Sequence, residues 1–159
     1  MTDFCTLINF AASSGSKIST PTFLHVMTST MYRLLSVRFT DDTFNEMLRL
    51  GLLAFCSSAF LQWRSLDMVY EKLVNAFKRR LTLFLNSDAA WDLKLWLVMV
   101  GHLSLLQLDD NESLLTFRSI HGKHCQAALW MNARSTLQDL LWIPSIHDAA
   151  GLVILDRLR

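Results

Sequence analysis

Leu93-Lys94-Leu95-Trp96-Leu97-Val98-Met99-Val100-Gly101 is apolar at almost every position, so a helix through it has no face left for water. A run of this kind predicts a central helix, about residues 88–107, wrapped by other helices. Gly101 in its interior costs about 1 kcal/mol against alanine, which is offset where a neighbouring helix crosses close by. A second stretch, Leu140-Leu141-Trp142-Ile143-Pro144-Ser145-Ile146-His147-Asp148-Ala149-Ala150-Gly151, reads as a short helix fixed by its tryptophan and stopped by its proline. Neither stretch carries evident reaction chemistry.

The rest of the chain extends the same pattern. Two prolines and five glycines in 159 residues leave few breakers, and no segment alternates apolar and polar residues long enough for a strand. The fold class is therefore all-α: an irregular array of about six to seven antiparallel-packed helices around the central one. Residues 1–19, with the Ala11-Ala12-Ser13-Ser14-Gly15-Ser16 patch, read as a weak helix or a frayed, weakly ordered lead-in, and 20–159 as one helical domain. Thr20-Pro21 is expected to start a helix that runs to about Val37. Thr40-Asp41-Asp42 is expected to start one that runs to about Gln62, with Asn45, Glu46 and Arg49 as its small polar face. Ser65 is expected to cap a third, amphipathic helix with Val69, Leu73, Phe77, Leu81 and Phe84 inside and Glu71, Lys72, Asn75, Lys78 and Arg79 in water. Beyond the central helix, Asp109-Asp110-Asn111 makes a turn into a fifth helix ending near Asn132. Ser135 with Gln138 forms a capping box for a short sixth, and Ile146–Leu158 forms the last.

Composition narrows the function. Lys+Arg 15 against Asp+Glu 14 gives a net charge of +1, which removes the electrostatic argument for a surface dedicated to nucleic acid or to an acidic membrane. Hydrophobic residues make up 52% and charged residues 18%, against about 45–50% and about 25% in ordinary domains. This surplus is expected to be covered by a protein partner, a second copy or further chain. It is not expected to be covered by a membrane: the best candidate spans, Met47–Trp63 and Leu93–Leu108, are interrupted by Arg49 and by Lys94 and His102. Cys5, Cys56 and Cys125, odd in number and far apart, suit reduced thiols in an intracellular protein, nuclear or cytoplasmic rather than secreted.

A search for chemistry finds little. His121, His124 and Cys125 share a helical face and are the one local set of metal-ligand types, with His102 or His147 as a distant fourth ligand. They sustain a second hypothesis, a small helical metalloprotein or enzyme, beside a third, peripheral attachment to membranes. No nucleophile elbow occurs, and Ser14-Gly15-Ser16-Lys17 lacks the first glycine of a phosphate loop. His147 and Asp148 are adjacent and do not face each other on a helix, so Asp148 is expected to act as a cap. Lys78-Arg79-Arg80 reads as a solvated helix end. Trp96, Trp130 and Trp142 read as core rather than as a stacking site for a planar ligand. No catalytic residue, metal or cofactor is expected.

The residues so far singled out fall in an order that resembles the C-terminal regulatory region of fungal-specific transcription factors of the binuclear zinc-cluster type. The matching pieces are Tyr32-Arg33-Leu34-Leu35-Ser36, Leu48-Arg49-Leu50-Gly51-Leu52-Leu53-Ala54-Phe55 with Phe60-Leu61-Gln62, Leu95–Gly101, and Leu140–Ile143 with Pro144, His147, Asp148 and Gly151. Together they span about Leu24 to Leu158. The resemblance implies an all-α regulatory domain that in the family usually follows a six-cysteine zinc cluster binding DNA. With three cysteines and no C-x-x-C, this chain carries over neither zinc nor direct DNA contact. It looks like the tail of such a factor or a stand-alone relative, acting on transcription through protein–protein contacts. Leu34, Leu35, Arg49, Gly51, Trp96, Gly101, Leu141, Trp142, Pro144, His147, Asp148 and Gly151 are then scaffold positions.

Overall fold

A computed structural model describes residues 2–40, 42–61, 70–106, 111–127 and 130–158, without the side chains of 2, 4, 61 and 121–127. Among these residues the chain is all-α. Eight α-helices follow in order, α1 (Thr2–Ser14), α2 (Thr20–Ser36), α3 (Thr43–Cys56), α4 (Glu71–Leu85), α5 (Trp91–Ser104), α6 (Asn111–Ala127), α7 (Trp130–Leu140) and α8 (Pro144–Leu158), and a π-helical turn (Ser57–Leu61) extends α3.

The central helix is α5. It buries ten residues in succession, from Lys94 to Leu103, and packs on α3, α4, α6, α7 and α8. Lys94 is tolerated there because its ammonium donates to the Ser87 carbonyl just beyond the end of α4, where a cation also suits the helix dipole. α4 is amphipathic as its sequence predicts: Phe77, Leu81 and Phe84 are buried, Leu73 is half-buried, and Glu71, Lys72, Asn75 and Arg79 are exposed. Lys78-Arg79-Arg80 is not a solvated helix end, because α4 runs on to Leu85 and Lys78 and Arg80 are half-buried.

Close approach is achieved by seating aromatic side chains on glycines. A Cβ on Gly101 of α5 would stand 2.6 Å from Cε1 of Phe77, an entirely buried ring on α4. On Gly51 of α3 it would stand 2.9 Å from Cζ3 of Trp96, and it would also strike the Leu97 side chain. On Gly151 of α8 it would stand 2.7 Å from Cζ2 of Trp142 and 3.1 Å from Cη2 of Trp130.

Of the two readings of the first residues, a helix is what forms: α1 has 13 residues, and its Cys5 and Ala11 are buried against the body. Several boundaries differ from the sequence reading, each for a physical reason. Ser19, not Thr20, caps α2, accepting from the Thr22 amide at 3.3 Å. Asp42 caps α3, accepting from the Asn45 amide at 2.9 Å. Ser135 is not a cap: α7 already begins at Trp130, so Ser135 and Gln138 lie inside it, and the fifth helix ends at Ala127, before Asn132. The half-buried Trp130 ring reaches Trp142 and Gly151, and it anchors that earlier start. Gln62, Ser65, Val69, Asp109 and Asp110 fall outside the described residues.

Gly101→Leu is expected to lower the unfolding free energy by about 1–3 kcal/mol through overpacking against Phe77. Leu83→Ala, at a position 66% exposed on α4, is expected to stay within about 0.5 kcal/mol of the parent. Urea denaturation of the two variants checks both outcomes.

Candidate functional site

The densest convergence of polar groups lies at the joint between α7 and α8, residues 141–148. Three residues, Leu141, Trp142 and Ile143, leave one helix before Pro144 opens the next, and an apolar interior offers no water for their backbone groups. Side chains from distant elements supply the partners. Trp96 Nε1 of α5 donates to the Leu141 carbonyl at 2.8 Å, and Asn9 Nδ2 of α1 donates to the Trp142 carbonyl at 3.1 Å. The Ile143 amide donates to His147 Nδ1 at 3.1 Å, while the Ile143 carbonyl accepts from the Ile146 and His147 amides.

Asp148 sits inside α8 rather than at its start, so it is not the cap its sequence position suggests. Its carboxylate accepts from Trp142 Nε1 at 2.8 Å through one oxygen and from Arg134 Nε of α7 at 2.8 Å through the other. That fixes the indole of Trp142 over Gly151 and beside the His147 ring, at 4.9 Å between ring centroids. The Asn9 Oδ1 atom is the one buried side-chain polar atom without a partner among the described residues.

The same joint brings a serine to a histidine. Ser58 Oγ, on the π-helical turn, lies 3.2 Å from His147 Nε2, and both residues are buried. The pair has the composition of a hydrolytic dyad but the opposite polarity. Because Nδ1 accepts from the Ile143 amide, the neutral ring carries its proton on Nε2 and donates to Ser58, whose hydroxyl in turn donates to the Phe55 carbonyl at 2.8 Å. A general base would need a free lone pair facing the hydroxyl. Burial also pushes the imidazole down to about 4, against a smaller upward pull from Asp148. Both Asp148 oxygens are engaged elsewhere, so no third group orients the ring as in a triad.

Other candidate groups are also engaged in structure. His102 Nε2 lies 2.9 Å from Ser113 Oγ, joining α5 to α6. Burial raises the Cys5 thiol to about 11 and Cys56 to about 12, far from a reactive thiolate. The side chains of His121, His124 and Cys125 lie outside the described residues, and among the described ones no three His, Cys, Asp or Glu groups gather as metal ligands. Trp96 and Trp142 are core rings, 3% and 1% exposed.

A second polar lock joins α2 to α3. Arg49 grips Glu46 with Nε at 2.7 Å and Nη2 at 2.6 Å, and its Nη1 donates to the Leu34 carbonyl at 2.8 Å; the Phe39 amide closes on the same carboxylate at 3.1 Å. Of the small polar face read in sequence, Glu46 and Arg49 are thus sequestered, while Asn45 stays exposed. The Arg49 guanidinium, above all, holds the Glu46 carboxyl below its ordinary range despite burial. Leu34 contributes its carbonyl and a half-buried side chain, whereas Leu35 points outward.

Comparison with known proteins adds no relative: the chain matches no family model, no curated protein and no solved structure.

Two outcomes follow from these locks. Unfolded His147 titrates near 6.5 and the folded ring near 4. Stability is therefore complete above the first value and falls as pH drops toward the second, by roughly 3 kcal/mol. Denaturation at stepped pH reads the slope, and His147→Gln is expected to flatten it. Arg49→Met, which strands the buried Glu46, is expected to cost about 3–5 kcal/mol at neutral pH. Raised amide exchange in α2, measured alongside, checks that the loss runs through that lock.

Proposed function

We propose that this chain is a non-enzymatic helical regulatory domain that acts in transcription regulation through contacts with a partner protein. Its resemblance to the C-terminal region of fungal-specific transcription factors supplies the process. The observation that carries the non-enzymatic part is the polarity of the Ser58–His147 contact: the most enzyme-like pair in the described core spends its hydrogen bonds holding a helix joint. The scaffold residues named from sequence support the reading in kind. Gly51, Gly101, Trp96, Trp142, Asp148 and Gly151 all act in helix–helix packing.

Apolar side chains left in water supply the contact. Phe10, Tyr32, Leu35, Leu83, Leu115 and Met131 are each more than 60% exposed, a spread of large side chains that invites a covering chain. No described helix is long and apolar enough to cross a membrane. On this reading the protein contributes no bond-making, and DNA contact belongs to another chain or another segment.

Fusion of the chain to a heterologous sequence-specific DNA-binding module tests the proposal. Reporter output from that module's site is expected to change when the domain is attached, and an unchanged output would overturn the role in transcription. Exposure of the purified protein to a fluorophosphonate probe tests the other half. No adduct is expected at Ser58, and stoichiometric labelling there would make the chain a hydrolase.

A further inference from the structure

Phosphorylation patterns in the sequence sort differently once the helices are in place. Lys78-Arg79-Arg80-Leu81-Thr82 sets three cations before a threonine, yet it lies inside α4, where Leu81 is fully buried and the Thr82 hydroxyl donates to the Lys78 carbonyl at 3.2 Å. A kinase cleft takes its substrate as extended chain, so this threonine is closed to it while α4 stays in the core. Arg33-Leu34-Leu35-Ser36 ends α2, and its Ser36 hydroxyl donates to the Arg33 carbonyl at 3.0 Å. Opening that end would break the hydrogen bond from Arg49 to the Leu34 carbonyl.

Thr20-Pro21 is open. It is the one place in the chain where proline follows serine or threonine. Both residues are exposed, and Ser16 to Ser19 before them lie outside any helix. The hydroxyls of Ser19 and Thr22 engage each other at 2.7 Å, whereas Thr20 Oγ1 has no hydrogen-bond partner among the described residues. α2 is also the one described α-helix that buries none of its residues, so its first turn opens without disturbing the core. A residue before proline prefers extended backbone, which suits this threonine to a cleft once the turn opens.

We propose that Thr20 is a phosphorylation site for a proline-directed protein kinase, and that the phosphate tightens the start of α2. Thr20 Oγ1 attacks the γ-phosphorus of ATP: the new O–P bond forms as the bond from that phosphorus to the β,γ-bridging oxygen breaks, ADP leaves, and the hydroxyl proton passes to a carboxylate of the kinase. The added charge stands in the first turn of α2, at the positive end of the helix. Lys17, three residues earlier, is exposed and held in no ion pair among the described residues, and it supplies a cation to the same group. The site goes beyond the transcription reading and does not rest on it.

Incubation of the full chain with ATP and a purified proline-directed kinase, followed by peptide mass spectrometry, tests the assignment. One phosphoryl group is expected, on Thr20. Thr20→Val and Pro21→Ala are each expected to abolish it while helicity and melting temperature hold, because both side chains lie in water. Amide exchange at Phe23 and Leu24 of the phosphorylated chain is expected to slow roughly two- to fivefold, the effect of one charge at a helix end. Lys17→Gln is expected to reduce that slowing without reducing incorporation. No incorporation, incorporation at another hydroxyl in place of Thr20, or undiminished incorporation in Pro21→Ala would each overturn the site. Phosphate on Thr20 with unchanged exchange would overturn the tightening.

Discussion

A helix that buries ten residues in succession must be met on every side, and α5 is met by rings set against glycines. Aromatic side chains bring large apolar area, but their thickness keeps helix axes apart unless the opposing surface is bare. Gly51, Gly101 and Gly151 provide that bare surface on three different helices. The arrangement links the helices in series. Trp96 of α5 leans on α3, Phe77 of α4 leans on α5, and Trp142, between α7 and α8, leans on α8. Each glycine forgoes about 1 kcal/mol of helix propensity, a cost smaller than the burial of the ring it admits.

The same rings organise the polar interior. Both buried indole N–H groups find acceptors at the α7–α8 joint, Trp96 on a backbone carbonyl and Trp142 on the Asp148 carboxylate. Apolar packing and hydrogen bonding therefore converge on one short segment instead of being spread through the core. This explains how the core accommodates a histidine. His147 stays neutral because every charge that might favour its protonated form is either occupied or outweighed by burial, and both ring nitrogens serve as structural contacts. Serine, histidine and aspartate meet within one region, and the hydrogen bonds of all three are spent on holding helices together.

Much of this was legible in the sequence because it follows from periodicity. The all-round apolar run at 93–101 marked the central helix, the stripe of Phe77, Leu81 and Phe84 marked α4, and Gly101 signalled a close neighbour. What was not legible depends on contacts between distant positions. Nothing local distinguishes Ser135 as an interior residue from Ser135 as a cap. The deciding fact is that Trp130 packs on Trp142 and Gly151, which draws the start of α7 back by more than a turn. Glu46 and Arg49 read as solvent-facing for the same reason: their partners, the Leu34 carbonyl and the Phe39 amide, belong to a segment that only the fold brings near. The Ser58–His147 contact spans 89 positions and has no sequence signature at all.

The π-helical turn at Ser57–Leu61 sets a phase. A wide turn carries one residue more than the α-helix it interrupts, and here it delivers Ser58 to His147 while Ser57 back-bonds to the Leu53 carbonyl. Because the extra residue is absorbed within the turn, deleting one there would restore ordinary winding and remove the displacement that carries Ser58 to His147. For this fold, then, a single-codon deletion at that turn is expected to be felt first at the α7–α8 joint, through the lost Ser58 contact, rather than within α3 itself.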